Sequence, residues 1–142
     1  MTLQLERLDG RTRGLMLAEV DSDVRAGCLY MSSRLTPTGV LFAYLAALRE
    51  AILHGSDQTL AAALTRGGLL KRREMRHAEN GQPVVRPMPR DASKLLAEAE
   101  FNRFYLRALR VRAKQDGVGA MQIYGANDVG AETDESRATP LT

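Results

Sequence analysis

The chain of 142 residues has the length of one domain, and a domain of this size buries about two thirds of the surface of its unfolded chain. Its 44% hydrophobic and 26% charged residues are typical of a globular protein, whereas 5% aromatic residues and no Trp predict an aliphatic core. The net charge is +3, the one cysteine excludes an internal disulfide, and no apolar run approaches the ~20 residues of a membrane-spanning helix. The sequence also predicts no signal peptide, so we expect a protein of the reducing cytoplasm.

The first part of the chain predicts short β-strands. Residues 3–5 (LQL) alternate in polarity, and residues 14–20 (GLMLAEV) lead through an Asp-Ser-Asp turn to residues 28–31. Such alternation is the period of a half-buried strand, so we expect a hairpin, although the leucines of residues 14–20 also fit a turn of helix. Cys28 is expected to pack in the core as a small hydrophobic residue.

A helix is predicted after the loop SRLTPTG, residues 33–39. Thr36 is a suitable N-cap, with Pro37 at the first helical position. Apolar residues then occupy most of the helix circumference, so we expect the helix to be buried. It should end at His54 and Gly55, because glycine readily adopts the left-handed conformation of a helix C-cap.

A second, shorter helix should follow at once. Ser56 can cap it, Leu60 and Leu64 share one face, and Gly67 and Gly68 end it. Two adjacent helices resemble a helix-turn-helix, but this second helix has few side chains that could contact bases. The argument for a recognition helix is therefore weak.

Residues 69–90 predict an exposed, basic β-ribbon. Asn80-Gly81 is suited to a two-residue hairpin turn, and three prolines restrict the second strand, residues 83–88, to a sheet edge. The ribbon has no aromatic residue for base stacking, so it fits an arm on a neighbouring subunit as well as a phosphate contact. Its candidate contact residues are Arg72, Arg73 and Arg76.

The longest helical pattern is Asp91 to Gln115, with Asp91 or Ser93 as the cap. Its main apolar stripe should carry the core, and a smaller apolar group on the opposite side predicts a second contact surface. The main stripe contains Ala97, Phe101, Phe104, Ala108 and Val111, flanked by Tyr105 and Leu109, and the smaller group contains Leu95, Leu106 and Ala113.

Four cations, Arg103, Arg107, Arg110 and Lys114, follow the spacing i, i+4, i+7 and i+11 on this helix and so share one line along it. A solvated face partly neutralised by Glu100 is one interpretation. An acidic protein surface or a phosphate backbone against the line is the other.

The chain after residue 115 predicts a glycine-rich exit at residues 117–119 and a closing strand at residues 120–124 (AMQIY), with Met121 and Ile123 facing the core. A polar, acidic tail follows at residues 127–142, outside a single α+β domain of residues 1–126. Its candidate contact residues are Asp128, Glu132, Asp134 and Glu135.

Charge is unevenly distributed along the chain. The net charge is −1 for residues 1–65, +5 for residues 66–90, +3 for residues 91–115 and −4 for residues 116–142. A basic middle and an acidic end suggest either a clasp within one chain or a head-to-tail contact between copies.

Residues arranged for catalysis, a cofactor or a metal are not recognisable. His54 and His77 lack ligand-like spacing, and Glu98 and Glu100 point to different sides of their helix. No glycine run matches a phosphate-binding fingerprint. We therefore expect a protein that is not an enzyme: a small α+β domain with two to three helices, a long central helix and a short antiparallel sheet or hairpins.

The segment AEAEFNRFYLRALRVRA (residues 97–113), together with SRLTPTG (residues 33–39), resembles a group of small uncharacterised proteins encoded in bacteriophages and prophages. The resemblance extends faintly to Ile123, Tyr124 and Ala126. In that group cysteine usually occupies the position of Arg110, so this chain departs from the pattern there. The resemblance implies a phage origin.

The expected function is that of a phage structural or assembly protein, such as a minor capsid, decoration or head-completion component. Its partners would be other copies of itself or a phage structural protein, in the host cytoplasm during assembly and then in the virion. The alternative is a nucleic-acid-binding regulator or DNA-packaging accessory protein, with phosphate contacts from the basic ribbon and the cation line. A host-targeting inhibitor is a third hypothesis.

Overall fold

The computed structural model describes residues 5–37 and 40–117, which form a small α+β domain. Its elements in chain order are α1 (Gly10–Ala26), α2 (Val40–His54), α3 (Asp57–Arg66), β1 (Arg73–His77), β2 (Pro83–Pro87) and α4 (Ala92–Gln115). The fold class is as predicted, but residues 5–37 and 40–117 form four helices in place of two to three. None of the helices in these ranges is long and apolar enough to cross a membrane.

The extra helix is α1, where strands and a hairpin were predicted; that prediction was wrong. Met16 and Val20, four residues apart, are both fully buried, which is the spacing of one helix face. Both ends carry caps: the Asp9 side chain accepts the Thr12 N–H at 2.9 Å, and Gly27 is left-handed with φ 71°. Cys28, predicted in the core, follows this cap and is exposed, because the chain leaves the helix at the surface.

Helix α2 is buried on one face only, contrary to the predicted all-round burial, since its helix neighbours are α1 and α3. Tyr44 and Leu48 lie in the core, whereas Phe42 is 80% exposed. The cap prediction was also wrong in detail. The helix begins at Val40, and the Thr36 N–H is bonded to the carbonyl of Leu69 at 2.9 Å.

The helix does end at His54, but Gly55 is not left-handed. A Cβ at Gly55 would lie 2.2 Å from Oγ1 of Thr59, so close approach of the next helix explains the glycine. Helix α3 is confirmed: Ser56 and Thr59 form a reciprocal capping box, and the helix ends at Gly67.

The predicted hairpin is confirmed, with strands β1 and β2 antiparallel and Met75 opposite Val85. Its loop has three residues, Glu79 to Gly81, rather than the predicted two. The Gly81 N–H bonds the carbonyl of Ala78 at 2.8 Å, and Gly81 has φ 83°, as the bulged three-residue loop requires.

Helix α4 is confirmed as the central element. Phe101 and Phe104 are buried at its middle. Of the predicted second contact surface, Ala113 is buried and Leu106 packs against the core, whereas Leu95 is 49% exposed. Asp91 stands at the N-cap position without capping through its side chain. The Ser93 hydroxyl instead pairs with Thr65 of α3 at 2.9 Å.

The helices form an up-and-down bundle in which α1 packs on α2 and α4, and α3 packs on the same two helices. The apolar core draws side chains from all four. The hairpin is inserted between α3 and α4, at the end of the bundle where α4 begins. It is joined to the loop before α2 by a bridge between Leu35 and Leu70. The predicted strand at residues 120–124 and the acidic tail lie outside the described residues.

Candidate interaction surface

One carboxylate neutralises part of the basic hairpin. Glu74 on β1 accepts hydrogen bonds from Nε of Arg34 at 3.0 Å and from Nη2 of Arg86 on β2 at 2.7 Å. Arg76 lies farther away, with 3.8 Å between its Nη1 and Oε2 of Glu74. The bonds from Arg86 and then Arg34 lower the pKa of Glu74. Because Arg34 belongs to the loop before α2, this cluster fixes the hairpin to the bundle.

The remaining charge of the hairpin lies at its base. Lys71, Arg72 and Arg73 are exposed and form no ion pair within residues 5–37 and 40–117. The side chain of Arg76 is 55% exposed. The candidate residues Arg72, Arg73 and Arg76 are therefore each accessible, with Arg73 and Arg76 on opposite faces of strand β1.

The cation line of α4 is divided into an internal and an external half. In the internal half, Arg107 donates from Nε to Glu19 at 2.8 Å and from Nη1 and Nη2 to the Asp23 carboxylate at 2.8 and 2.9 Å. The bonds to Asp23 and Glu19 raise the pKa of Arg107, and the Arg107 guanidinium lowers the pKa of Asp23. Arg107 therefore clamps α4 to α1.

Arg103 also has partners within the chain. Its Nη2 lies 3.1 Å from Oε2 of the buried Glu100, and its guanidinium lies 4.8 Å from the centre of the Tyr30 ring. Burial raises the pKa of Glu100 despite this cation, and it also raises the pKa of the neighbouring Tyr44. Arg103 thus stabilises a buried acid.

The external half of the line consists of Arg110 and Lys114. Both are exposed and have no ion pair among the described residues. Of the four predicted cations on α4, these two are the ones with charge left for another molecule.

The two edges of the hairpin differ in their hydrogen-bonding capacity. The Ala78 N–H bonds the Gln82 carbonyl, and the Met88 N–H bonds the Arg72 carbonyl. These two bonds fix which residues of each strand direct their backbone N–H and C=O groups toward the other strand. By this alternation, Arg73, Met75 and His77 of β1 direct their N–H and C=O groups outward. No backbone bond joins these groups to another described residue.

The outer edge of β2 is blocked by proline. Pro83, Val85 and Pro87 occupy its outward positions, so Val85 alone offers an N–H. Proline is tolerated at these two positions because an inward position would need the N–H for the ladder. The hairpin is therefore closed to further strands at β2 and open at β1.

An apolar pair lies on one face of this hairpin. Met75 is 64% exposed, and Val85, directly opposite on β2, is 60% exposed. These two residues were not predicted as a contact site, because isolated apolar residues in a short strand are ordinary. Strand pairing is what brings the two together beside the open edge.

A second apolar surface lies on α2. Leu41, Phe42 and Leu53 are exposed on its solvent side. The apolar pattern of α2 was visible in the sequence but was interpreted as burial in the core.

The start of α1 and the end of α4 lie together, at the end of the bundle opposite the hairpin. Arg112 of α4 contacts the Asp9 carboxylate at 2.8 Å, and Arg11 of α1 contacts Asp116 at 2.7 Å. Helix α4 has 24 residues, which makes it about 36 Å long at about 1.5 Å per residue. The chain therefore leaves the described domain, after Gly117, about that distance from the hairpin base. The candidate residues Asp128, Glu132, Asp134 and Glu135 lie beyond this point, outside the described residues.

No group of three or more His, Cys, Asp or Glu side chains that could hold a metal ion occurs in the described part of the chain. Comparison of the chain with protein-family models, curated proteins and solved structures returned no match.

Proposed function

We propose that this chain is a bacteriophage structural or assembly protein, of minor capsid, decoration or head-completion type, that acts through contacts between protein subunits. The observation that carries the proposal is the separation of opposite charges. A basic hairpin with an open strand edge lies at one end of α4, and the acidic segment of the chain begins at the other end.

This separation supports a head-to-tail contact between copies over a clasp within one copy. Residues 66–90 carry +5 and residues 116–142 carry −4. Copies arranged head to tail bring these regions together without the acidic segment having to fold back along its own α4. Opposite charges at such a contact increase the rate of association and fix its register.

A head-to-tail contact uses two different surfaces of each copy. Such contacts repeat until they close a ring or extend as a chain. Ring and chain assemblies suit a component present in several copies at one site of a particle. The resemblance of residues 97–113 to phage-encoded proteins supports the same conclusion.

The proposal predicts that the protein is present in purified phage particles. Particles from a host that carries the corresponding phage should contain its peptides, by quantitative mass spectrometry, at a fixed ratio to the major capsid protein. Peptides found in the infected-cell lysate but absent from the particles would refute the virion assignment.

A nucleic-acid-binding role is the second candidate. It is favoured by Lys71, Arg72 and Arg73, which have no ion pair in the part of the chain that the structure describes. Internal pairing of Arg107 weakens it, because that cation has two carboxylate partners. Such binding predicts an affinity for duplex DNA whose logarithm falls linearly with the logarithm of salt concentration. A flat salt response in fluorescence anisotropy would exclude this role.

A further inference from the structure

The outer edge of β1 has the features of a site for strand addition. Three successive outward residues, Arg73, Met75 and His77, offer N–H donors and C=O acceptors without a partner among the described residues. An extended segment laid along such an edge completes the ladder through its own backbone. Because Pro83 and Pro87 block the opposite edge, β1 is the one side of this sheet that can accept a full strand.

Residues 120–124 (AMQIY) match this edge in pattern. Met121 and Ile123 flank the polar Gln122, Ile123 and Tyr124 have high β-propensity, and the segment contains no proline. Met121 and Ile123 share one face of an extended segment and would continue the exposed row of Met75 and Val85.

These residues are too close to the end of α4 to reach β1 of their own copy. Tyr124 is seven residues after Gly117, so a fully extended chain carries it at most about 25 Å at about 3.6 Å per residue. The hairpin base lies about 36 Å away along α4, at the opposite end of the bundle. Tyr124 therefore cannot lie beside Arg73, at the base of β1, in its own copy, and a strand that ends there comes from a second copy.

Charge favours the same arrangement. The acidic residues 128–135 begin four positions after Tyr124. A strand seated antiparallel to β1 ends beside Arg73, so it brings these acidic residues close to Lys71, Arg72 and Arg73, which have no ion pair among the described residues. Pairing of β1 with β1 of a second copy would instead bring two regions of charge +5 together, which costs Coulomb energy.

We propose that residues 120–124 of one copy bind as a third strand on the outer edge of β1 in the next copy, with the acidic residues that follow held against the base of the hairpin. The inference rests on the proposed head-to-tail contact and assigns its two surfaces.

The acceptor is tested with a matched pair of proline variants of the full chain. Met75→Pro removes a central outward N–H from the β1 edge, and Val85→Pro removes the equivalent outward N–H from the β2 edge, directly across the hairpin. In sedimentation velocity, Met75→Pro should weaken self-association about tenfold or more, while Val85→Pro leaves it unchanged. Equal effects of the two variants would overturn the assignment of the β1 edge.

The donor is tested separately, without change to the hairpin. Ile123→Asp should abolish self-association, and a mixture of Ile123→Asp with Met75→Pro should form a 1:1 heterodimer, because one copy keeps the acceptor and the other keeps the donor. Heterodimers are detected by native mass spectrometry after labelling one variant with ¹⁵N. A mixture that stays monomeric would overturn the proposal, as would Ile123→Asp chains that still dimerise.

Salt provides an independent readout. Contact between the acidic segment and the cations predicts an affinity that weakens as salt is raised, whereas β1-to-β1 pairing would strengthen. If the Met75→Pro and Ile123→Asp variants both associate as strongly as wild type, the strand assignment is overturned, while contact between copies still stands. Absence from particles would refute the virion assignment and leave the strand assignment intact.

Discussion

Replacement of Arg107 by methionine is expected to loosen the attachment of α4 to α1. Methionine keeps most of the apolar stem of the side chain and removes its three hydrogen bonds to Glu19 and Asp23. The two carboxylates are then left without their cation. They are only 26% and 15% exposed, so water replaces the lost bonds incompletely.

The expected loss lies between two limiting cases. Exposed ion pairs contribute about 0–1 kcal/mol, and hydrogen bonds to charged groups in less accessible sites about 1.5–3 kcal/mol. With the Arg107 side chain 33% exposed, we expect a free energy of unfolding lower by about 2 kcal/mol. For a domain of this length that corresponds to a melting temperature lower by about 7 °C.

The assay is urea unfolding followed by far-ultraviolet circular dichroism, with Arg110→Met as the control. Arg110 is one turn away on α4 and has no ion pair with a described residue, so its loss should change stability by less than about 0.5 kcal/mol. A double-mutant cycle with Asp23→Asn should give a coupling energy of about 1–2 kcal/mol. Equal effects of Arg107→Met and Arg110→Met, or a coupling energy near zero, would refute the clamp.

The ion pair between Arg107 and Asp23 also predicts how the free energy of unfolding depends on pH. The pKa of Asp23 is lowered in the folded protein, so its contribution is present above the unfolded pKa of Asp. It is lost as the pH falls through the lower, folded pKa. The stability difference between wild type and Arg107→Met should therefore shrink in acid, and a difference that stays constant down to about pH 2 would contradict this origin.

Three further variants and one chemical probe test other features. Gly55→Ala should lower the melting temperature, because its Cβ would lie 2.2 Å from Oγ1 of Thr59. A Cβ at Gly14 meets no atom within 4 Å, so Gly14→Ala should stabilise α1 by about 0.5–1 kcal/mol. A higher melting temperature for Gly55→Ala than for Gly14→Ala would contradict the packing of Gly55. The free energy of unfolding of Glu100→Gln should increase relative to wild type as the pH rises above about 4. The reason is that burial raises the pKa of Glu100, so its ionisation destabilises the folded wild type. A difference that does not depend on pH would disprove that cause. Cys28 should react with one equivalent of a thiol reagent in the native protein, and reaction only after denaturation would show that it is buried.

The elements with strong local signals were predictable from the sequence. Helix α3 has its Ser56 cap, the hairpin has Asn80-Gly81, and α4 has a long apolar stripe. Helix α1 was not predicted, because residues 14–20 fit a short strand as well as a turn of helix. Its caps, Asp9 and Gly27, are helix signals in the sequence and favour the helix.

The surface was less predictable, because it depends on which residues tertiary structure brings together. Glu19 and Asp23 lie 88 and 84 positions from Arg107 in the chain, so nothing local indicated that this cation is neutralised. The burial of α2 was overestimated for a related reason: an apolar circumference does not reveal how many neighbours a helix has. The open β1 edge follows from hairpin register, which the incorrectly predicted turn length had left undefined.

Sedimentation velocity of the wild-type chain over a concentration series tests the central claim of head-to-tail assembly most directly. Head-to-tail assembly predicts an average mass that rises with concentration above the 15.6 kDa of one chain and falls back towards it as salt is added. A mass that stays at 15.6 kDa across the series at low salt would contradict it.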